Sequence, residues 1–338
     1  MIERHSSIAH SAYHDLLRSL QDDAVSEIRG SPTRVERNGR VYWYDSYRVG
    51  SDVRKRYIGE DSEELRARIA AYETLKSATE ARRKNRTRLV RLLRAEGFLS
   101  LDAATGGLLS ALAASGVFRL GGTVVGTHAF RLYEGELGVR MGVDMAAQTD
   151  DIDIASFTRL SLALEDTAAP PLETVFKDVA FAPQPSVQKG RAWRWKQSRG
   201  DTLVEFLTPS FDEKEGLQHL SALGVDAQAL HHLNFLIAEP IKAAINYRSG
   251  VLVQIPQPER FAVHKLIVAS RRRAGVDALK SEKDRRQAAF LIDVLADDRP
   301  DELKDAMEDA KSRGPKWRER ISAALARMPK TAERLAGL

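Results

Sequence analysis

Thr149 to Phe157, TDDIDIASF, sets three aspartates around one isoleucine within an apolar run. In a strand, alternate residues share a face, so Asp151 and Asp153 point one way while Ile152 and Ile154 point into a core. Carboxylates held that close repel each other unless a divalent cation lies between them. Two such ions, about 3.5–4 Å apart, need bridging carboxylates of this kind and a third acid. Glu205 is the candidate third, occupying the one charged slot of TLVEFLTP, an otherwise apolar strand. If the two strands are neighbours, Asp151, Asp153 and Glu205 converge. The plain alternative is that acids at a strand end punctuate a loop or hold an incidental cation.

Upstream, VVGTHAF places Gly126 and Thr127 where an apolar run gives way to a helical one. A strand turning sharply into a helix there presents backbone N–H groups and a hydroxyl to an anion. His128, on the turn, reads as a packing or hydrogen-bonding histidine, and Asp150 adjoins the acids.

Taken in order, Val125-Gly126-Thr127, Asp151-Ile152-Asp153 and Glu205 resemble the DNA polymerase β-like nucleotidyltransferase superfamily. Its pattern is an apolar residue, Gly, then Gly or Ser, followed by a D-h-D strand (h an apolar residue) and a later strand with one more acid. GTHAF, TDDIDIA, EFLTP and PERFAVHKL look most like bacterial nucleotidyltransferase-fold proteins related to AbiEii-type toxins, over roughly residues 118 to 295. The resemblance implies that Asp151 and Asp153 ligate two Mg²⁺ (or Mn²⁺) ions and that Glu205 helps to activate an attacking hydroxyl. It also implies that Gly126 and Thr127 grip the triphosphate of an NTP, with Lys265 reaching it from a helical domain. Beside that stands a bland reading of Lys265 as a surface lysine. Lys283-Asp284 is similar to a lysine–aspartate pair of those toxins, and Arg271, Arg272, Arg273 and Lys283 either contact phosphate or solvate a loop. Three departures stand out. Thr127 replaces Ser and keeps the hydroxyl. Glu205 replaces Asp, and its extra methylene shifts a base by about 1 Å. RLYEGELGVRMGVDMAAQ makes a longer gap than usual, read as an inserted hairpin or loop.

These residues need elements to carry them. At 338 residues the chain has room for two domains; its pattern and the resemblance divide it into an N-terminal region (1–117), a nucleotidyltransferase core (118–255) and a C-terminal helical domain (256–338). The implied fold class is α+β. A polymerase β-like core of short mixed sheet with helices carries an N-terminal helix plus small antiparallel sheet and a C-terminal helical domain. Residues 10–29 have helical apolar spacing, and Asn38-Gly39 reads as a hairpin turn. Tyr42, Trp43, Tyr44, Tyr47 and Tyr57 are interleaved with Arg40, Arg48, Arg54, Lys55 and Arg56, either to stack on bases or to fill the minimal core of a small sheet. Residues 61–96 run without Gly or Pro as a charged helical segment.

The net charge is only +5, from 52 basic and 47 acidic residues, but RRKNRTRLVRLLR from Arg82 to Arg94 holds no acid. It is either a solvated helix face or an arm for a polyanion. The partner we expect is RNA, through Arg82, Arg83, Lys84, Arg86, Arg88, Trp43 and Tyr44. With no cysteine, thiolate zinc sites are excluded and oxygen-ligated hard cations favoured. No run of about eighteen apolar residues and no secretory h-region appears, so a cytoplasmic protein without a membrane partner is expected. The activity expected is metal-dependent transfer of an NMP from an NTP to an acceptor hydroxyl, on RNA with a tRNA-like end, in a toxin with a cognate antitoxin. The rival reading is a nucleic-acid-binding protein with a degenerate core, and Glu205 is the residue that keeps it open.

Overall fold

The computed structural model describes the chain except positions 1, 29, 50–51, 143–150, 164–165, 186–190, 212–214, 273–274 and 276. Asp150, Arg273 and the second part of the gap before the acids lie outside the described residues. The fold is α+β.

The N-terminal part begins with α1 (Ser7–Ser26), capped by Ser6, whose Oγ accepts from the Ala9 N–H at 3.1 Å. β1 (Ser31–Arg37), β2 (Arg40–Val49) and β3 (Asp52–Glu60) form an antiparallel sheet in that order. Asn38 and Gly39 take φ of 51° and 74°, the two positive values a tight hairpin turn needs. Each face of this sheet packs in part on the rest of the protein. Tyr44 and Tyr57 turn into the main core, while Trp43 and Ile58 pack against Val25, Ile28 and Ile69 on the other side.

The long charged segment folds as three helices: α2 (Glu63–Ala70), α3 (Tyr72–Ser77) and α4 (Thr79–Ala95). Side chains make the second break affordable by taking carbonyls at the end of α3. Thr79 Oγ1 donates to Lys76 O at 2.9 Å, and Arg82 Nη1 donates to Leu75 O. Val90 and Leu93 of α4 pack on Tyr13, Leu16 and Leu20 of α1.

The middle part runs α5 (Ala103–Ser115), β4 (Thr123–Val125), α6 (Gly126–Leu137), β5 (Asp151–Ala155), α7 (Thr158–Ala163), α8 (Leu172–Asp178), β6 (Phe181–Pro183), β7 (Arg194–Gln197) and β8 (Leu203–Pro209). β9 (Leu217–Leu220), β10 (Val225–Leu230), α9 (Leu233–Leu236), β11 (Ile241–Ile245) and β12 (Val251–Ile255) follow. The sheet is mixed, in the order β4-β5-β8-β10-β9, with β6 and β7 off this path. β8 is its hub. It pairs in parallel with β5 on one edge, and on the other with antiparallel β7 at its start and parallel β10 at its end. Ile152, Ile154, Val204 and Phe206 are fully buried, so the alternate residues of β5 and β8 share the opposite face. The separate β11–β12 hairpin is tied to β4 by Gln254 Nε2, which donates to Thr123 Oγ1 at 3.0 Å.

The stretch read as an inserted loop does not begin as one. α6 continues to Leu137 because Phe130, Tyr133 and Leu137 bury on the core, and Gly138, at φ 63°, ends it.

The C-terminal part is helical: α10 (Pro258–Arg271), α11 (Ala278–Asp298), α12 (Pro300–Ser312), α13 (Pro315–Leu325) and α14 (Pro329–Ala336). Each except α11 starts with Pro in its first turn, where the missing N–H loses no bond. Tyr133 joins this part to the core: its hydroxyl donates to Pro256 O at 2.9 Å and its ring meets Phe261 at 5.3 Å. The arrangement brings the start of α11 to the start of α6.

Candidate active site

The alternation of β5 puts Asp151 and Asp153 on the face away from the core, Asp151 exposed and Asp153 partly buried. Asp153 stands between Val125 of β4 and Glu205 of β8, its direct partner in parallel register. Neighbouring strands lie about 4.8 Å apart, and registered residues of a parallel pair share a face. The expected neighbourhood of the two acid strands is therefore present.

Gly126 starts α6 at φ 66°, and a Cβ placed on it would lie 2.5 Å from Asp153 Oδ2. Glycine is needed twice here, once for the backbone and once to let the carboxylate lie against its Cα. No side chain caps this helix start. The first-turn amides and the positive end of the helix dipole are thus left without a side-chain cap next to Asp153.

Thr127 Oγ1 accepts from Lys283 Nζ at 3.2 Å. The expected triphosphate lysine, Lys265, is instead paired with Asp284 at 2.6 Å, and Arg272 Nε binds the other oxygen of Asp284 at 2.6 Å. Lys265 still acts on the site through its field, which lowers the Asp153 pKa. Lys283 is thus the lysine in contact with the Gly-Thr turn. Arg271 approaches Glu215 at 3.7 Å. His128 is buried on α6, and burial pushes the His264 imidazole down to about 3, leaving it neutral.

Asp153 is the most perturbed acid of the set. Burial, then Glu205, then Asp151 raise its carboxyl to about 7, against the opposing fields of Lys265 and Arg194. Burial also raises Glu205, which Arg194 opposes from its place opposite Glu205 on β7. Arg194 Nε lies 2.7 Å from Glu205 Oε1, with its guanidinium carbon 4.0 Å from the Trp193 ring centroid.

This tests the fit of a metal. Asp151 and Asp153 offer two oxygen donors on one face, with repulsion that a hard cation relieves. Glu205 is held by Arg194, and among the described residues no group of three or more Asp, Glu or His is gathered to hold an ion. The aspartate pair offers donors of the kind a divalent cation takes, and Glu205 stands beside it with its carboxylate bonded to Arg194.

Arg194 and the contact of Lys283 with Thr127 were missed in the sequence. The one signal for Arg194 was RAWRWKQ, basic and aromatic residues alternating at the period of a strand.

The nucleic-acid residues need correction. Tyr44 packs in the main core at 2% exposure and offers no surface to a base, and Trp43 Nε1 donates to Asp61 Oδ1 at 2.7 Å. Arg82 and Arg86 turn inward to Asp23, at 2.9 and 2.5 Å, and Arg86 is buried. Arg83, Lys84 and Arg88 are exposed on α4, together with Arg91 and Arg94.

No helix among the described residues is long and apolar enough to cross a membrane. No curated protein and no solved structure matches the chain. Residues 11–67, from α1 through the small sheet into α2, match the model of a domain of unknown function (DUF6788). Residues 103–312, more than half of the chain and including Asp151, Asp153, Glu205, Lys265 and Lys283, match a family model described as nucleotidyltransferase. The chain belongs to this nucleotidyltransferase family.

Proposed function

We propose that the protein moves an NMP from an NTP to an acceptor hydroxyl on RNA at the Asp151–Asp153 face, using Mg²⁺ or Mn²⁺ and a polymerase β-like core. The observation that carries this reading is Asp153 held between Gly126 and Glu205, with an uncapped helix start beside it. Asp151 and Asp153 would hold the divalent cation, which when bound supplies charge neutralisation at the α-phosphate and lowers the pKa of the acceptor hydroxyl. The α6 amides and Thr127 hold phosphate oxygens, Lys283 adds its charge at Thr127, and Lys265 reinforces the positive field. Glu205, freed from Arg194, accepts the proton of the attacking hydroxyl. The exposed basic face of α4 draws in the RNA. Kinship with AbiEii-type toxins, and a role as the toxin of a pair with an antitoxin, belong to this reading. Growth arrest on expression that Asp151→Ala relieves is its cellular test.

The biochemical test is incubation with Mg²⁺, total RNA and each of four α-³²P-labelled NTPs. Label should enter one RNA size class and vanish in Asp151→Ala/Asp153→Ala. The Glu205–Arg194 pair favours a second reading, a nucleic-acid-binding protein with an inactive core. It predicts no label in any fraction while RNA still binds at low salt.

A further inference from the structure

We infer that Arg194 is a positioning residue that engages the Glu205 carboxylate beside the Asp151–Asp153 pair and so sets how strongly the site takes a divalent cation. The inference rests on the nucleotidyltransferase reading above. Register leaves Glu205 little choice of location: it is fixed beside Asp153 on β8 and opposite Arg194 on β7, all on one face. Which neighbour its carboxylate joins is decided by side-chain rotation alone. In the structure it joins Arg194, 2.7 Å away, while the Arg194 guanidinium packs over Trp193 at 4.0 Å. The stacked ring pre-orients the cation and reduces the entropy lost in pairing.

The electrostatics give the arrangement a purpose. Three carboxylates pointed at one spot with no cation repel one another, and Arg194 is the largest of the influences opposing burial at Glu205. With the metal absent, the pair relieves that repulsion. It is also weak enough to yield, because the Arg194 and Glu205 side chains keep 45% and 19% of their exposure. A cation on the aspartate pair competes with Arg194 for Glu205, and the released guanidinium is left beside the site where substrate phosphate is expected.

Mn²⁺ alone, titrated into the full chain and read by its thermal shift, tests this without any catalytic readout. Arg194→Gln should bind Mn²⁺ about two- to fivefold more tightly than wild type, the range expected for losing a partly exposed ion pair. Arg194→Lys keeps a charge near Glu205 and should stay closer to wild type. In a Glu205→Gln background, Arg194→Gln should change nothing, since no carboxylate remains to be released. Unchanged affinity in Arg194→Gln overturns the inference, and so does equal tightening with Glu205 absent, which would be a general charge effect. Asp153→Asn separates the two levels. If it responds to Mn²⁺ as wild type does, or if neither responds, the metal-site reading fails and the inference falls with it.

Discussion

Gly126→Ala isolates the contact between the turn and the acid. Two effects follow from one methyl group. At φ 66° an L residue sits in the left-handed region at a cost of about 1–2 kcal/mol. The new Cβ would also stand 2.5 Å from Asp153 Oδ2, whereas ordinary contact begins at 3.4 Å, so the carboxylate must retreat by most of an ångström. A displacement of about 1 Å at a reacting centre costs roughly a hundredfold in rate. Gly224 provides the control, since its φ is 67° and a Cβ there meets nothing within 4 Å. Gly224→Ala should therefore lose about the same 1–2 kcal/mol in urea unfolding and keep its labelled-NTP transfer. Gly126→Ala should lose similar stability and about a hundredfold in transfer. Transfer within threefold of wild type in folded Gly126→Ala would show that the turn does not position Asp153 for chemistry.

Asp153 makes a prediction about pH. Its carboxyl is raised to about 7 from 3.8, so the stability it contributes is whole below about pH 4 and is lost as pH rises through 7. Metal-free Asp153→Asn should therefore match wild type in acid and exceed it at pH 8 by about 1–3 kcal/mol in urea unfolding, while losing transfer. Equal stability at pH 8 would show that the carboxylate is not strained. On α4 the inward and outward cations should separate: Asp23→Ala, which strands Arg82 and the buried Arg86, should cost about 2–3 kcal/mol. Lys84→Ala, Arg88→Ala and Arg91→Ala should leave unfolding unchanged and weaken RNA binding, each reducing the log–log salt slope by about 0.7 for a single-stranded site. An unchanged slope in the triple variant would move the RNA surface elsewhere.

The elements that carry the candidate residues were legible because their signals are local. The D-x-D alternation is a property of any strand, and Gly126-Thr127 after Val124-Val125 marks a strand turning into a helix. The hairpin at Asn38-Gly39 follows from the backbone freedom of two residues. Other readings stayed open where a side chain had two uses that sequence cannot separate. Arg82 and Arg88 look alike in RRKNRTRLVRLLR, yet helical periodicity together with Asp23 on α1 sends one inward and leaves the other in solvent. Tyr44 could equally have stacked on a base or filled a core, and the main core covers it. Lys265 and Lys283 were both candidates for the phosphates; the position of Asp284 keeps the first and leaves the second to Thr127.

The amino-acid sequence determined by itself which residues carry charge on a strand face, where the chain turns, and the family to which residues 103–312 belong, since all three depend on residue types at short spacing. Tertiary structure decided the rest. Strand order brought Glu205 to Asp153 from fifty-two positions away in the chain, and the β7 edge gave it Arg194 as a rival partner. Such choices depend on which elements become neighbours after the core has closed, and a partner several strands distant leaves no trace in the local pattern.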